Sequence, residues 1–264
     1  MLTRESYINS PVEIENELLH FFNKKEPLII FDIGACEAED SIRYSDLFPK
    51  SVIYAFEPRI DNCEKAKELI KQYNKSNIVF ENIALSNKNG IADFYLSEGE
   101  PLDLKNNEFW NYGNKSSSLL PPSEELKKHI AWLSFKEKME VKTQRLDDYV
   151  KEKNVSAIDF IHIDVQGAEL MVLEGAGDFL SKIKIIWMEV EAVQLYKDQP
   201  LKNDIEKFTK SNQFINILDT VNKVSGDQLY VNKNYFSDIK INALLAARKR
   251  KNRIAKIKSF LKFK

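Results

Sequence analysis

The sequence predicts an α/β protein built on a mostly parallel, doubly wound sheet with helices on both faces. Three observations lead there. Apolar runs of β-type residues occur at 29–33, 52–56 and 158–163, and each ends in an acid or a glycine turn: Asp32-Ile33-Gly34-Ala35, Phe56-Glu57-Pro58 and Asp164-Val165-Gln166-Gly167. Strand-like and helix-like patterns alternate between them, which argues parallel pairing. A further run at 183–190 is nearly all apolar, as a strand covered on both faces must be. In such sheets ligands bind beyond the carboxyl ends of the strands, where a turn into a helix presents backbone N–H groups. The three endings therefore predict one crevice holding a nucleoside cofactor. Glu57 is placed to accept hydrogen bonds from the two hydroxyls of a ribose.

Taken in order, residues 10–23 read as an amphipathic helix with Ser10 as N-cap, Pro11 at the first helical position, and Val12, Ile14, Leu18, Leu19 and Phe22 inward. Pro27 opens the first strand. A helix over 40–48 is stopped by Pro49, and a helix over 61–73 follows the second strand with Ala66, Leu69, Ile70 and Tyr73 inward. Residues 77–83 form a third strand, and 91–96 alternate like a strand with one wet face. The polar stretch 97–122, with Ser116-Ser117-Ser118 and Pro121-Pro122, is long for a structureless connection and reads as an active-site lid. Ser123 caps a helix to about residue 135; strand 139–143 and a helix from Arg145 lead into the strand that carries Asp164. A helix over 168–173 precedes the apolar run, and 203–210 is helical. Strands 214–218 and 229–231, split by a turn at Ser225-Gly226-Asp227, close the sheet as an antiparallel pair.

These pieces predict an N-terminal helical segment (1–26), one nucleoside-binding domain (27–235) and a basic helical tail (236–264). With 264 residues, 43% apolar and 30% charged, the chain suits a folded globule with a sizeable core. It shows neither a signal-peptide pattern nor a run long enough to span a membrane. Two cysteines, Cys36 and Cys63, are too few for a disulfide framework, so a reducing cytoplasm is expected. The whole-chain net charge of −1 hides an asymmetry: residues 237–264 hold ten Lys or Arg and a single Asp, so the remainder is acidic.

With the elements placed, the chain resembles the FkbM-type S-adenosylmethionine-dependent methyltransferases. The resemblance rests on Phe31-Asp32-Ile33-Gly34-Ala35, Ala55-Phe56-Glu57-Pro58, Asn82-Ile83-Ala84-Leu85-Ser86, the stretch from Thr143 through Leu146-Asp147-Asp148, and above all Ile163-Asp164-Val165-Gln166-Gly167-Ala168-Glu169-Leu170 followed by Val172-Leu173-Glu174-Gly175-Ala176. It implies a Rossmann-like methyltransferase fold of seven strands with the last antiparallel. It also implies O-methylation of a hydroxyl, most often on a sugar or a secondary-metabolite scaffold. The chain departs from the family pattern at two places, with His162 where Lys is common and Gln166 where Glu is common.

On this reading Gly34 and Ala35 approach the methionine part of S-adenosylmethionine, Asp32 orients its ammonium, and Ser41 touches its carboxylate. Glu57, with Pro58 beside it, binds the ribose, and Asn82, Ile83 and Ala84 lie against the adenine. Asp164 and His162, two apart on one strand and so on one face, are the candidate catalytic residues with Glu189, and Asp164 also borders the cofactor. Glu189 and Glu191, ending the next strand, are expected to complete an acidic patch for sugar hydroxyls or a divalent cation. No tight ligand spacing such as His-x-x-x-His occurs, so the sequence leaves a divalent metal open without arguing for one. Plainer readings stand beside these: Asp32 as a turn cap, His162 as a core histidine, Glu169 as a helix-start acid near the dipole's positive end, Ser116–Ser118 as a flexible loop, and Cys36 as a space-filler.

Two other functions were open to the residues. A nicotinamide-dependent oxidoreductase is disfavoured because the first turn lacks G-x-G-x-x-G and carries Glu37 and Glu39, which would repel phosphates. A catalytically silent binding module of the same fold is the other. For partners, the sequence predicts a sugar or glycan acceptor and no nucleic acid, since no aromatic-basic platform accompanies the acidic body. Ala243, Leu244 and Ala247, then Ile254, Ile257 and Leu261, recur at helical spacing among the tail's cations. They predict a helix packed on the body, with peripheral attachment to the anionic inner face of a membrane or to a partner protein as a further expectation.

Overall fold

The apolar runs serve two cores because successive side chains of a strand point to opposite faces. In the structure, a computed structural model that describes residues 3–101 and 110–262 (side chains through residue 250 and at Arg253), strands β1 (Ile29–Ile33), β2 (Val52–Phe56), β3 (Ile78–Glu81), β7 (Ile158–Ile163), β8 (Ile183–Glu191), β9 (Phe214–Asp219) and β10 (Ser225–Asn232) form a seven-stranded sheet in the order β3-β2-β1-β7-β8-β10-β9. All neighbours pair in parallel except β10, the last strand, which runs antiparallel to β8 and β9. Ile30, Phe160, Ile185 and Leu229 face one core, beneath α1 (Arg4–Ile8), α2 (Glu15–Phe21), α3 (Glu39–Leu47), α4 (Ile60–Gln72) and the start of α9 (Asp238–Lys262). Their neighbours Phe31, Ile161, Ile186 and Tyr230 face the other, beneath α6 (Leu146–Glu152), α7 (Glu169–Gly175) and α8 (Lys202–Ser211). Ile8, Leu18, Ile241 and Leu244 share a single core with the sheet, so the N-terminal segment and the root of the tail pack into the body.

Several local expectations are corrected. Ser10 does not cap a helix over 10–23: it follows α1, where its hydroxyl donates to Tyr7 O at 2.7 Å. The carbonyls of Ser10 and Pro11 accept from the buried Arg43 guanidinium, so that segment bonds to a side chain and α2 begins only at Glu15. Leu19 is only partly buried, whereas Val12, Ile14, Leu18 and Phe22 are buried as predicted. The helix from Ser123, α5 (Glu124–His129), stops early because Ser134 already pairs with Glu98. Ser225-Gly226-Asp227 is not the turn but the start of β10, opposite Glu191, Val190 and Glu189; Asn222 makes the turn, its side chain accepting from Val224 N. The strands predicted at 91–96 and 139–143 are present but longer, as β5 (Gly90–Glu98) and β6 (Ser134–Arg145), and with β4 (Ala84–Ser86) they form a separate three-stranded sheet in the order β4-β6-β5 that the sequence did not indicate. Residues 102–109 of the predicted lid, and the side chains of Ile254, Ile257 and Leu261, lie outside the described residues.

Candidate active site

The chain leaves β1 for β2 and β3 on one side and returns with β7 on the other, so the sheet reverses its winding between β1 and β7. That is where a doubly wound sheet opens a crevice. Asp32 pairs with His162 in register across this boundary. Just beyond it the two strand ends are in close contact: a Cβ placed on Gly34, whose φ is +87°, would stand 1.8 Å from Asp164 O. Only glycine accepts both that conformation and that approach.

Two spaces that share lining residues lie over the strand ends. A slot of about 40 Å³ is lined on one side by Phe56, Glu57 and Pro58, on another by Ile83, Ala84, Leu85 and Phe94, and overhead by Asn114, Lys115, Ser117 and Leu119. A chamber of about 250 Å³ is lined by Tyr7, Trp110 and Tyr112, by Asp32, Glu39 and Asp40, and by His162. Gly34, Cys36, Lys115 and Asp164 border both.

Glu57 stands at the slot with its carboxylate accepting Cys36 N at 3.0 Å and Arg59 N at 2.7 Å. Burial pushes its carboxyl up to about 8, against the opposing pull of those N–H groups. A carboxylate has about four lone-pair sites, so these bonds leave acceptor capacity for a ligand. Pro58 and Ala84 line the same slot. Asn82 does not: its amide donates to Glu57 O and Pro58 O, each at 2.9 Å, and so shapes the turn that aims Glu57. The N–H groups of Gly34 and Ala35 both donate to Phe56 O, so this turn offers a close-fitting surface more than free donors.

Asp32 and Ser41 work as a unit. Both are buried; Ser41 Oγ donates to Asp32 Oδ2 at 2.5 Å, and His162 Nδ1 lies 3.0 Å from Asp32 Oδ1. Ser41 thus bonds to Asp32 and is absent from the lining of both spaces. Burial disfavours a charged His162 ring, but the hydrogen bond and charge of Asp32 outweigh it and raise the imidazole to about 9. At neutral pH it therefore holds a proton and cannot readily accept another.

Asp164 and Glu189 are joined by a side chain that sequence reasoning did not place in the site. Gln166 Nε2 donates to Asp164 Oδ1 at 2.7 Å and to Glu189 Oε2 at 2.6 Å, while its Oε1 accepts from Tyr196 Oη at 3.0 Å. Glu189 stands one step behind Asp164, outside the lining of either space. Burial first, then the charge of Asp164, keeps the Glu189 carboxyl well above the usual range; burial and Asp164 raise Glu191 to about 7. Glu169 accepts from Val165 N and Gly167 N and so braces the turn that ends β7. Among the described residues, no group of three or more His, Cys, Asp or Glu is arranged to hold a metal ion.

The roof and the far wall come from stretches that periodicity does not flag. Ser118 Oγ donates to Gln166 O at 2.8 Å, Tyr196 Oη donates to Ser116 O at 2.7 Å, and Asn114 Nδ2 bonds both Glu37 and Asn62. Ser116-Ser117-Ser118 is therefore pinned over the slot. Glu37 and Glu39 are buried and paired with Arg4, Lys65 and Lys115, so they do not face a ligand as bare charges. That removes phosphate repulsion as an argument against the oxidoreductase reading; the missing G-x-G-x-x-G spacing remains. Lys115 also lies 3.9 Å from Cys36 Sγ, yet burial holds that thiol well above its ordinary pKa.

The chain is 32% identical over 194 residues to the 2-O-methyltransferase NoeI of Sinorhizobium fredii (strain NBRC 101917 / NGR234), covering 73% of this chain and 75% of that one. Among solved structures it is similar to an rRNA methylase from Streptococcus thermophilus (TM-score 0.46, 11% identity, 84% of this chain and 96% of that one). It is also similar to Aeropyrum pernix fibrillarin with natively bound S-adenosyl-L-methionine (TM-score 0.43, 13% identity, 80% and 69%). The model of the methyltransferase FkbM domain matches residues 32–216, from Asp32 in β1 into β9, and so takes in both the slot and the Asp164 turn. With most of its length inside that match, the chain belongs to the FkbM methyltransferase family.

Proposed function

We propose that this S-adenosylmethionine-dependent O-methyltransferase acts on a hydroxyl of a sugar in a glycan or glycoconjugate. The observation that carries the reading is the position of Asp164: among the described residues bordering both spaces it is the carboxylate, with an apolar slot on one side and a polar, aromatic chamber on the other. The slot's residues fit the cofactor. Ile83, Ala84, Leu85 and Phe94 suit a flat base, the Glu57 carboxylate suits the ribose diol, and the Gly34-Ala35 turn suits the close approach of the methionine part. When bound, the cofactor supplies an electrophilic methyl group.

The chain's own residues do the rest. An alcohol holds its proton about as tightly as water, with a pKa of roughly 15.7, so a base must take it as the new bond forms. Asp164 is positioned for that, its carboxylate steadied by Gln166. His162, protonated at neutral pH, can donate a hydrogen bond toward the chamber rather than serve as the base. Trp110 and Tyr112 in the chamber suit the apolar face of a sugar ring, and the Asp40 carboxylate suits its hydroxyls. The segment from Asn114 to Leu119 covers the slot. That segment is held mainly by side-chain hydrogen bonds and one isolated bridge between Tyr95 and Ser118. The NoeI relative, itself a 2-O-methyltransferase by name, supports oxygen as the acceptor atom.

The test is isotopic methyl transfer from S-adenosylmethionine to a panel of saccharides and their deoxy analogues. Transfer to a saccharide that vanishes with one deoxy position, and a fall of about 10²–10⁴-fold in Asp164→Asn with cofactor binding retained, supports the reading. Transfer to non-sugar alcohols only, or full activity of Asp164→Asn, refutes it.

A further inference from the structure

The function above leaves the C-terminal helix unused, although residues 237–264 hold ten Lys or Arg against a single Asp. Helix α9 is 25 residues long. Its first third is anchored antiparallel to α2: Lys240 Nζ donates to Phe21 O, its carbonyl meets His20 Nε2, and eight residues later Arg248 pairs with Glu17 at 2.6 Å. Ile241 and Leu244 fill the seam and are buried. The helical backbone then continues for fourteen residues past Arg248, roughly 21 Å at 1.5 Å per residue. Lys249, Arg250 and Arg253 are exposed. From residue 249 to 264 the sequence has eight Lys or Arg and no Asp or Glu, with Ile254, Ile257 and Leu261 at i, i+3, i+7 spacing.

We propose that this cationic extension of α9 is a docking surface for an anionic lipid bilayer. Three points select that occupant. A second copy is disfavoured because two such helices repel. A nucleic-acid duplex would satisfy the charge but offers no apolar sink for the helical apolar spacing of Ile254, Ile257 and Leu261 in the sequence, whereas a bilayer interface satisfies both. The body is acidic and is itself repelled by an anionic surface, which leaves the anchored helix as the contact. No helix among the described residues is long and apolar enough to cross a membrane, so the contact is peripheral.

Sedimentation of the full chain with vesicles of phosphatidylcholine alone, or with about a third phosphatidylglycerol, tests this. Each juxtamembrane cation is worth roughly fivefold in partitioning. Lys249→Gln/Arg250→Gln/Arg253→Gln is therefore expected to bind the anionic vesicles about 100-fold more weakly, with wild-type binding falling as salt rises. Ile254→Ser/Ile257→Ser/Leu261→Ser is expected to lose binding with its charge intact. Calorimetry with S-adenosylmethionine, unchanged in both variants, shows that the fold survives. Equal binding to both vesicle types, no binding, unweakened variants, or displacement of vesicle-bound protein by a short DNA duplex at equal charge would overturn the proposal.

Discussion

His162 Nδ1 lies 3.0 Å from Asp32 Oδ1 across the point where the sheet reverses its winding. The pair links the two central strands and borders the chamber. It also has a pH signature. The imidazole is raised from its ordinary value to about 9 in the folded protein, so its stabilisation is complete below about pH 6.5 and is lost as pH rises through about 9. His162→Ala strands the Asp32 charge in the interior, which costs roughly 3–5 kcal/mol. Urea unfolding should show that loss at pH 6 and a smaller one at pH 10. A gap that does not change with pH would show that the pair is uncharged.

Glu57 is raised as well, but for a carboxyl the higher value favours the neutral form. Burial raises its carboxyl to about 8, so the folded state favours the protonated form at neutral pH. Its contribution to stability is present below pH 4.5 and is lost as pH rises through about 8. Ribose hydroxyls bond best to the ionised form. Affinity for S-adenosylmethionine is therefore expected to increase from pH 6 to pH 9 and to be accompanied by proton release. Glu57→Gln should bind roughly 10- to 150-fold more weakly and without the pH trend. Calorimetry in buffers of different ionisation enthalpy reads both effects, and an unchanged affinity in the variant would exclude Glu57 from the contact.

Gln166 separates two carboxylates with one amide group. Gln166→Glu would place a third acid between Asp164 and Glu189, with both hydrogen bonds gone, at about 1–3 kcal/mol for each acceptor left unsatisfied. The variant is expected to melt well below the wild type at pH 8 and close to it at pH 5, where protons replace the amide. A similar deficit at both pH values would mean that Gln166 acts through packing alone.

Gly34→Ala tests the contact between the strand ends. The added methyl would meet a backbone oxygen, not a side chain able to rotate away, and the residue would also be strained at φ +87°. The expected destabilisation exceeds about 4 kcal/mol, measurable as a fall in the urea midpoint. A loss under about 1 kcal/mol would show that β1 and β7 part more easily than their packing suggests.

The sequence alone carried the sheet and the three strand ends, because both depend on local patterns. Runs such as Ile29–Ile33 and Val52–Phe56 declare a buried strand, and an acid or glycine at the end marks where the chain turns. It also singled out Glu57 and Asp164, which line one crevice. What the tertiary structure decided was the partner of each polar group. Ser41 and His162 converge on Asp32, Asn82 bonds the turn after β2, and Glu189 reaches Asp164 only through Gln166. Tyr7, Trp110 and Lys115 come to the site from a short N-terminal helix and from an irregular segment without helix or strand period. The physical reason is range. Periodicity reports which face of an element is buried, whereas a hydrogen bond between residues 130 positions apart, as for Asp32 and His162, exists only once the sheet has set the register of its strands.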